Sequence, residues 1–300
     1  MLDFIIIGGG TAGLSAAVYA CRANKQTLVI ERESFGGQIV DAPLVENYPG
    51  IPQISGAQLA ADLFDQAERA GASFKCETVV SVARTGEHIT VKTDRGEYTA
   101  KAVVIASGCE HRRLGVDGED ELIGAGVSYC ALCDGAFFKD KIVGVVGGGN
   151  AAFSAAAYLS GLCKLVYVIH RRDSFRAEPT VVERCARLNT VRFVKNAVVK
   201  KLHGDGELTG VTLEVRTGDK LETTELALDG LFVAIGQQPD NDAFGVALDA
   251  GGYIVTDECC RTSVKGVYAA GDCRQKTVRQ LTTAAADGAI AVSTALTELF

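Results

Sequence analysis

Two stretches decide the fold: Phe4-Ile5-Ile6-Ile7-Gly8-Gly9-Gly10-Thr11-Ala12-Gly13, and Val143-Gly144-Val145-Val146-Gly147-Gly148-Gly149-Asn150-Ala151-Ala152. Each is a short apolar run, read as a buried strand, that ends in glycines and opens a helix. Sliding the chain by 139 residues superposes the two without a gap. Ser15, Ala16, Ala17, Tyr19, Lys25 and Arg32 then fall on Ser154, Ala155, Ala156, Tyr158, Lys164 and Arg171. A further strand follows each helix, at Thr27 to Ile30 and at Leu165 to Ile169, so both are βαβ units. Glycine lets the backbone turn tightly and approach a pyrophosphate, while the helix N-terminus offers unpaired N–H groups and the positive end of its dipole. Gly8, Gly10 and Gly13 fill the pattern in the first unit; Gly147, Gly149 and Ala152 do so in the second, with Asn150 inside the same loop. The repetition predicts an α/β fold of two Rossmann-like dinucleotide-binding domains, the second inserted in the first.

The two units differ chemically where a dinucleotide's adenosine ribose would lie. The first has Glu31 at the end of its second strand, an acceptor for ribose hydroxyls. The second has His170-Arg171-Arg172 there, with Arg176 following. A carboxylate repels a 2′-phosphate, whereas guanidinium groups bind one through forked, charge-assisted bonds. The first site is therefore expected to take FAD or NAD and the second NADPH; a solvated surface cluster is the other reading of the arginines.

Between the units, residues 34–55 are rich in glycine, proline and amide side chains and read as a ligand-wrapping loop. Residues 57–70 read as a helix. Two apolar runs ending in glycine, Val103 to Gly108 and Phe232 to Gly236, are the expected crossings between domains. They place a discontinuous FAD domain at 1–108 and 237–300 and an NADPH domain at 109–236. Near the start of the insertion stands Tyr129-Cys130-Ala131-Leu132-Cys133-Asp134-Gly135. Two thiols at this spacing close a reversible disulfide, but the same spacing is half of a zinc site. Cys259, Cys260 and the four histidines supply no matching second pair, so no metal is expected. After the insertion the chain returns with Val267 to Asp272, where Asp272 is either a cap or a ligand for a flavin's ribityl chain. A small-residue helix then runs from about Arg279 to Leu296.

The 300 residues suffice for two cores, and 47% hydrophobic with 22% charged residues is a globular composition. The net charge of −7 with no basic run argues against nucleic acid as a generic partner. Glycines cut the first apolar run, no stretch approaches a membrane span, and the reading is cytoplasmic. In a reducing compartment the ten cysteines are no disulfide framework. Cys21, Cys76, Cys109, Cys163, Cys185 and Cys273 read as small buried hydrophobes.

With these motifs in view the sequence resembles the low-molecular-weight thioredoxin reductases. The resemblance is carried by Gly8 to Gly13, Gly36-Gly37-Gln38, Glu46-Asn47-Tyr48-Pro49-Gly50, Cys130 to Gly135, Gly147 to Ala152, His170-Arg171-Arg172-Asp173 with Arg176, and Gly271-Asp272 followed by Arg279-Gln280. It implies a homodimeric FAD enzyme in which NADPH reduces the flavin, the flavin reduces Cys130–Cys133, and the dithiol reduces thioredoxin or a thioredoxin-like protein. It implies, too, a rotation of the inserted domain, because nicotinamide and dithiol take turns at the flavin. Glu31, Gly37, Gln38, Asn47, Gly108, Gly271, Asp272, Arg279 and Gln280 match FAD contacts of the family, and Arg171, Arg172 and Arg176 its 2′-phosphate clamp. Asp134 matches the acid that moves protons at the dithiol. Which cysteine faces the flavin stays open. A ferredoxin-linked flavin thioredoxin reductase, or another electron-transfer flavoprotein of the same fold, is the alternative. Three departures stand out: Ser154 and Ala155 replace acidic residues, Ala125 replaces the basic residue of a Gly-Arg-Gly run, and Ser107 replaces a threonine. Phe137 and Phe138 read either as the apolar part of a docking surface or as core.

Overall fold

The computed structural model describes residues 1–218 and 220–300. The chain divides into two compact units, Met1–Glu110 with Gln238–Phe300 and His111–Gln237.

In chain order the first segment gives β1 (Leu2–Ile7), α1 (Thr11–Arg22), β2 (Thr27–Glu31), α2 (Gly56–Arg69), β3 (Ser73–Cys76), β4 (Val79–Thr85), β5 (His88–Thr93), β6 (Glu97–Ile105) and β7 (Glu110–His111). The insertion continues with β8 (Val127–Ser128), α3 (Ala131–Asp134), β9 (Ile142–Val146), α4 (Asn150–Leu159), β10 (Leu165–Ile169) and α5 (Pro179–Ala186). It closes with β11 (Val191–Val194), β12 (Ala197–Gly204), β13 (Leu208–Thr217), β14 (Lys220–Ala227), β15 (Gly230–Val233) and β16 (Gln237–Gln238). The returning segment adds β17 (Val267–Ala269) and α6 (Leu281–Leu299). The connecting segments β7 and β16 pair with each other.

Each unit joins a parallel sheet to an antiparallel meander. In the first, β3, β2, β1 and β6 lie in that order, β17 runs parallel to the C-terminal half of β6, and β5 and β4 fold back from its N-terminal half. In the second, the parallel order is β11-β10-β9-β15-β8, and β12-β13-β14 form a separate antiparallel sheet. Strands covered on both faces need apolar side chains at successive positions rather than alternate ones. Phe4, Ile5 and Ile6 accordingly have no exposed surface. Full burial of such a side chain contributes about 1.5–3 kcal/mol, which is why these runs seed the two sheets. On one face α1 and α6 pack closely, because a side chain on Gly288 would reach within 2.2 Å of the Ala12 carbonyl. Small residues at 284–289 permit that approach.

The structure corrects one expectation and divides an open pair of readings. Cys76 is exposed, because β3 is the edge strand of its sheet. Phe138 is buried edge-on against Phe232 and belongs to the core, while Phe137 next to it is exposed.

Candidate functional site

In the first unit, the turn between β1 and α1 leaves no space for a side chain at Gly8 or Gly13. Gly8 has φ +106°, and a Cβ on it would lie 2.2 Å from the Ala106 carbonyl oxygen. A Cβ on Gly13 would meet the Gly8 carbonyl oxygen at 1.9 Å. Above Gly10 the nearest atom is the Gly37 Cα at 3.9 Å, and no side chain caps α1. The N–H groups at the start of α1 therefore face an open cradle. Glu31, ending β2, is fixed over this turn: Oε2 accepts the Gly9 N–H at 2.7 Å and Oε1 accepts the Arg32 N–H at 2.7 Å.

The loop after β2 and the segment before α6 converge on the same unit's cradle. Gly36 N–H donates to the Gly9 carbonyl at 2.8 Å, which holds Gly37 and Gln38 beside the turn. Gln38 donates to the Cys109 carbonyl, one residue past Gly108, whose φ is +71°. Asn47 Nδ2 donates to Gln280 Oε1 at 3.3 Å, and Gln280 closes a reciprocal cap with Thr283 at the start of α6. Arg279 lies over the Tyr253 ring at 4.2 Å from its centroid and reaches toward the Asp272 carbonyl at 3.5 Å. Gly271, with φ +79°, abuts Ala12 at the start of α1. Asp272 is the informative member. Its Oδ1 is buried without a hydrogen-bond partner, and burial holds its carboxyl above the usual range, Lys276 and Arg279 pulling part of the way back. An enclosed acceptor with no donor is costly, and a hydroxyl-bearing chain would satisfy it. The residues therefore fit a dinucleotide with polyhydroxyl character.

In the second unit, the glycines meet similar constraints. A Cβ on Gly147 would lie 2.4 Å from the Ala234 carbonyl oxygen, whereas nothing stands within 4 Å above Gly149. Ala152 is completely buried under the turn. Asn150 is engaged with Glu178 in both directions, at 3.1 and 2.9 Å. His170 is buried, its ring against the Ser174 carbonyl at 3.0 Å, and burial followed by the arginines beside it lowers its pKa, keeping it neutral. Arg176 and Ala177 both donate their N–H groups to the Gly148 carbonyl, at 2.7 and 3.0 Å. The arginine loop is thus fastened to the glycine loop. Arg171, Arg172 and Arg176 are exposed, and among the described residues none is paired with a carboxylate. Their charge is available to an anion.

The same unit carries the redox motif. Cys130 and Cys133 are joined as a disulfide, with Cys130 capping the one-turn helix α3. Cys130 Sγ accepts the Cys133 N–H at 3.2 Å. Behind the pair, Ser128 Oγ donates to Asp134 Oδ2 at 2.6 Å and accepts the Cys130 N–H at 3.0 Å. Burial raises the Asp134 carboxyl above its ordinary value, and the Ser128 bond opposes that. Leu132, between the cysteines, is 57% exposed. Tyr129, just before them, donates to the buried carboxylate of Glu119 at 2.7 Å and stacks on His111. Among the described residues no cluster of His, Cys, Asp or Glu suits a metal ion, and the zinc reading of the cysteine pair gains no ligands.

Residues 2–288 match the family described as pyridine nucleotide-disulphide oxidoreductase. The chain belongs to that family. Within it, the chain is 45% identical to the thioredoxin reductase of Treponema pallidum, over 98% of this chain and 95% of the relative. It is 44% identical to the thioredoxin reductase of Bacillus subtilis, over 96% and 92%. The solved thioredoxin reductase of Streptococcus pyogenes superposes with a TM-score of 0.94 at 39% identity, covering 99% of this chain and 97% of that one. The fold is thus that of the low-molecular-weight thioredoxin reductases.

Three side chains that tie this family member's site together were missed in the sequence. Ser128 supports Asp134 from a two-residue strand too short to show a period. Asn241, almost fully buried, bridges Ser107 Oγ at 3.1 Å with the carbonyls of Gly252 and Cys273 at 2.9 and 3.0 Å. The hydroxyl kept at Ser107 is what this bridge uses. Tyr253 supports Arg279 from 26 residues away in the chain, a separation that leaves no local signal. Among the described residues no helix is long and apolar enough to cross a membrane.

Proposed function

We propose that this chain is an NADPH-dependent flavoprotein disulfide reductase that reduces thioredoxin or a thioredoxin-like protein through Cys130 and Cys133, and that it works as a homodimer. One observation carries the reading: a C-x-x-C disulfide with the Asp134 carboxyl, held by Ser128, behind it, in a chain whose two dinucleotide turns differ in charge. FAD bound in the first unit would supply the two-electron chemistry between nicotinamide and disulfide. Glu31 receives the adenosine ribose, the start of α1 receives the pyrophosphate, and Asp272 accepts from the ribityl hydroxyls. In the second unit the start of α4 receives the nicotinamide dinucleotide's pyrophosphate, and Arg171, Arg172 and Arg176 bind its 2′-phosphate. Asp134 gives a proton to the sulfur released when the disulfide opens and takes one back when the dithiol attacks its partner. The net result is one NADPH and one proton consumed per partner disulfide reduced to a dithiol.

An anaerobic titration of the purified protein with NADPH, NADH and reduced ferredoxin in turn, followed by a thioredoxin-coupled assay, tests the proposal. The expected result is a flavin bleached by NADPH, with electrons passed on to thioredoxin. A protein that carries no flavin, or a flavin that ferredoxin alone reduces, overturns it. Sedimentation at micromolar concentration reports on the dimer.

A further inference from the structure

We infer that Asp287 is a positioning residue for the ligand of the first unit: its buried carboxylate fastens the Gly271-Asp272 turn and the Arg279-Gln280 cap into one ligand-ready arrangement. The inference rests on the reading of that unit as the FAD site. Asp287 lies on α6, only 7% exposed, in the stretch where alanine and glycine let α6 approach α1. Its Oδ2 accepts the Gly271 N–H at 3.0 Å and the Lys276 ammonium at 2.8 Å, and its Oδ1 accepts from Arg274 at 3.2 Å. Lys276 also donates to Thr283 Oγ1 at 3.2 Å, and Thr283 in turn accepts the Gln280 N–H at 3.1 Å. Two routes therefore leave one carboxylate. The first runs through Gly271 to Asp272, whose Oδ1 has no partner. The second runs through Lys276 and Thr283 to Gln280, next to Arg279 and bonded to Asn47.

The chemistry explains why an acid stands on an otherwise apolar stretch of helix. Lys276 and Arg274 have side chains 9% and 13% exposed, and two buried cations need a shared counter-ion. A buried charge is retained at a cost, and it acts where it fixes one arrangement of neighbouring backbone. Here that backbone is the turn that presents Asp272. Asparagine at 287 keeps an acceptor for the Gly271 N–H but no charge for the two cations; alanine keeps neither. The order of effects is thus fixed by the geometry.

The test uses the full chain as Asp287→Asn and Asp287→Ala beside the parent, each stripped of flavin and titrated with FAD. Flavin fluorescence quenching gives the affinity, visible circular dichroism reports the bound flavin's surroundings, and the melting temperature of each flavin-free protein is recorded alongside. Asp287→Ala is expected to weaken FAD by roughly ten- to hundredfold, an effect the size of one charge-assisted hydrogen bond from the displaced Asp272 to the ligand, and to alter the visible dichroism; Asp287→Asn should fall between it and the parent. If either variant fails to fold, the other decides. FAD affinity and dichroism unchanged in a folded variant overturn the inference, as does a loss of affinity that a matched drop in flavin-free melting temperature accompanies with unchanged dichroism. A parent that binds no FAD overturns instead the reading on which the inference rests.

Discussion

Asp134→Asn removes a proton site and leaves its shape in place. Asp134 sits behind the disulfide, largely buried, with Ser128 donating to it at 2.6 Å. A positioned general acid contributes about 10²–10⁴-fold, so electron transfer between flavin and disulfide should slow by at least roughly 100-fold in the variant, with FAD and NADPH affinities unchanged. The sign of the pH dependence follows from the raised carboxyl. Opening the disulfide needs the acid form, so the parent's rate is highest below the folded pKa of Asp134 and falls as pH rises through it. Ser128→Ala removes a bond that favours the charged form, and the falling limb should move to higher pH. In the asparagine variant the limb should vanish. Stability follows the same linkage: a folded pKa above the unfolded one favours the fold below the unfolded value, and that contribution is lost as pH rises through the folded value. Asparagine should therefore cost no stability at neutral pH. Anaerobic stopped-flow measurement of the flavin absorbance across the pH range is the assay. Equal rates with the same pH limb in parent and Asp134→Asn would refute the role.

Three further outcomes are expected. Arg171→Ala, Arg172→Ala and Arg176→Ala should each lower kcat/KM for NADPH by about tenfold and leave NADH use unchanged, because exposed guanidinium–phosphate bonds lie at the weak end of their range; steady-state kinetics with both nucleotides checks this, and equal losses for the two refute it. Cys130→Ser and Cys133→Ser should keep flavin reduction by NADPH and abolish thioredoxin turnover, read in the two half-reactions separately. Gly8→Ala should destabilise the protein by about 1–3 kcal/mol or more, since its Cβ would lie 2.2 Å from the Ala106 oxygen at φ +106°. Denaturant unfolding of the variant gives the value, and a wild-type midpoint would contradict the packing described.

The parts of the fold written in local pattern were legible. β1 and α1 occupy Leu2–Ile7 and Thr11–Arg22, where the apolar run and the glycines place them, and α2 occupies Gly56–Arg69 against an expected 57–70. α6 begins at Leu281, two residues after the expected Arg279, because the Gln280–Thr283 cap that begins it is made of residue types that also occur inside helices. Cys76 reads as core from the usual burial of free cysteine, although Lys75 and Glu77 flank it; its exposure on an edge strand is decided by what pairs alongside, which is a tertiary fact. At the candidate site, the residue types proposed to face a ligand carry their chemistry in the sequence, and the structure gathers Glu31, Gln38, Asn47 and Asp272 around the first turn. Those that hold them in place were not: Ser128, Asn241, Tyr253 and Asp287 act across a fold whose contacts a linear pattern does not record.

Glu31 ends β2, and the three arginines lie in the loop that follows the corresponding strand β10, yet on the proposed reading they would meet an incoming ligand in different states of readiness. Glu31 is already held by the N–H groups of its own turn, so its ordering cost falls on folding and not on ligand capture. Arg171, Arg172 and Arg176 hang exposed from a loop that Arg176 and Ala177 tie to Gly148, and their long side chains would lose freedom only when an anion arrives. Preorganisation lengthens residence, and ordering on arrival shortens it. On the proposed reading, one duplicated unit would thereby yield two kinetic characters, a berth suited to a passenger that stays and one suited to a passenger exchanged at every turnover.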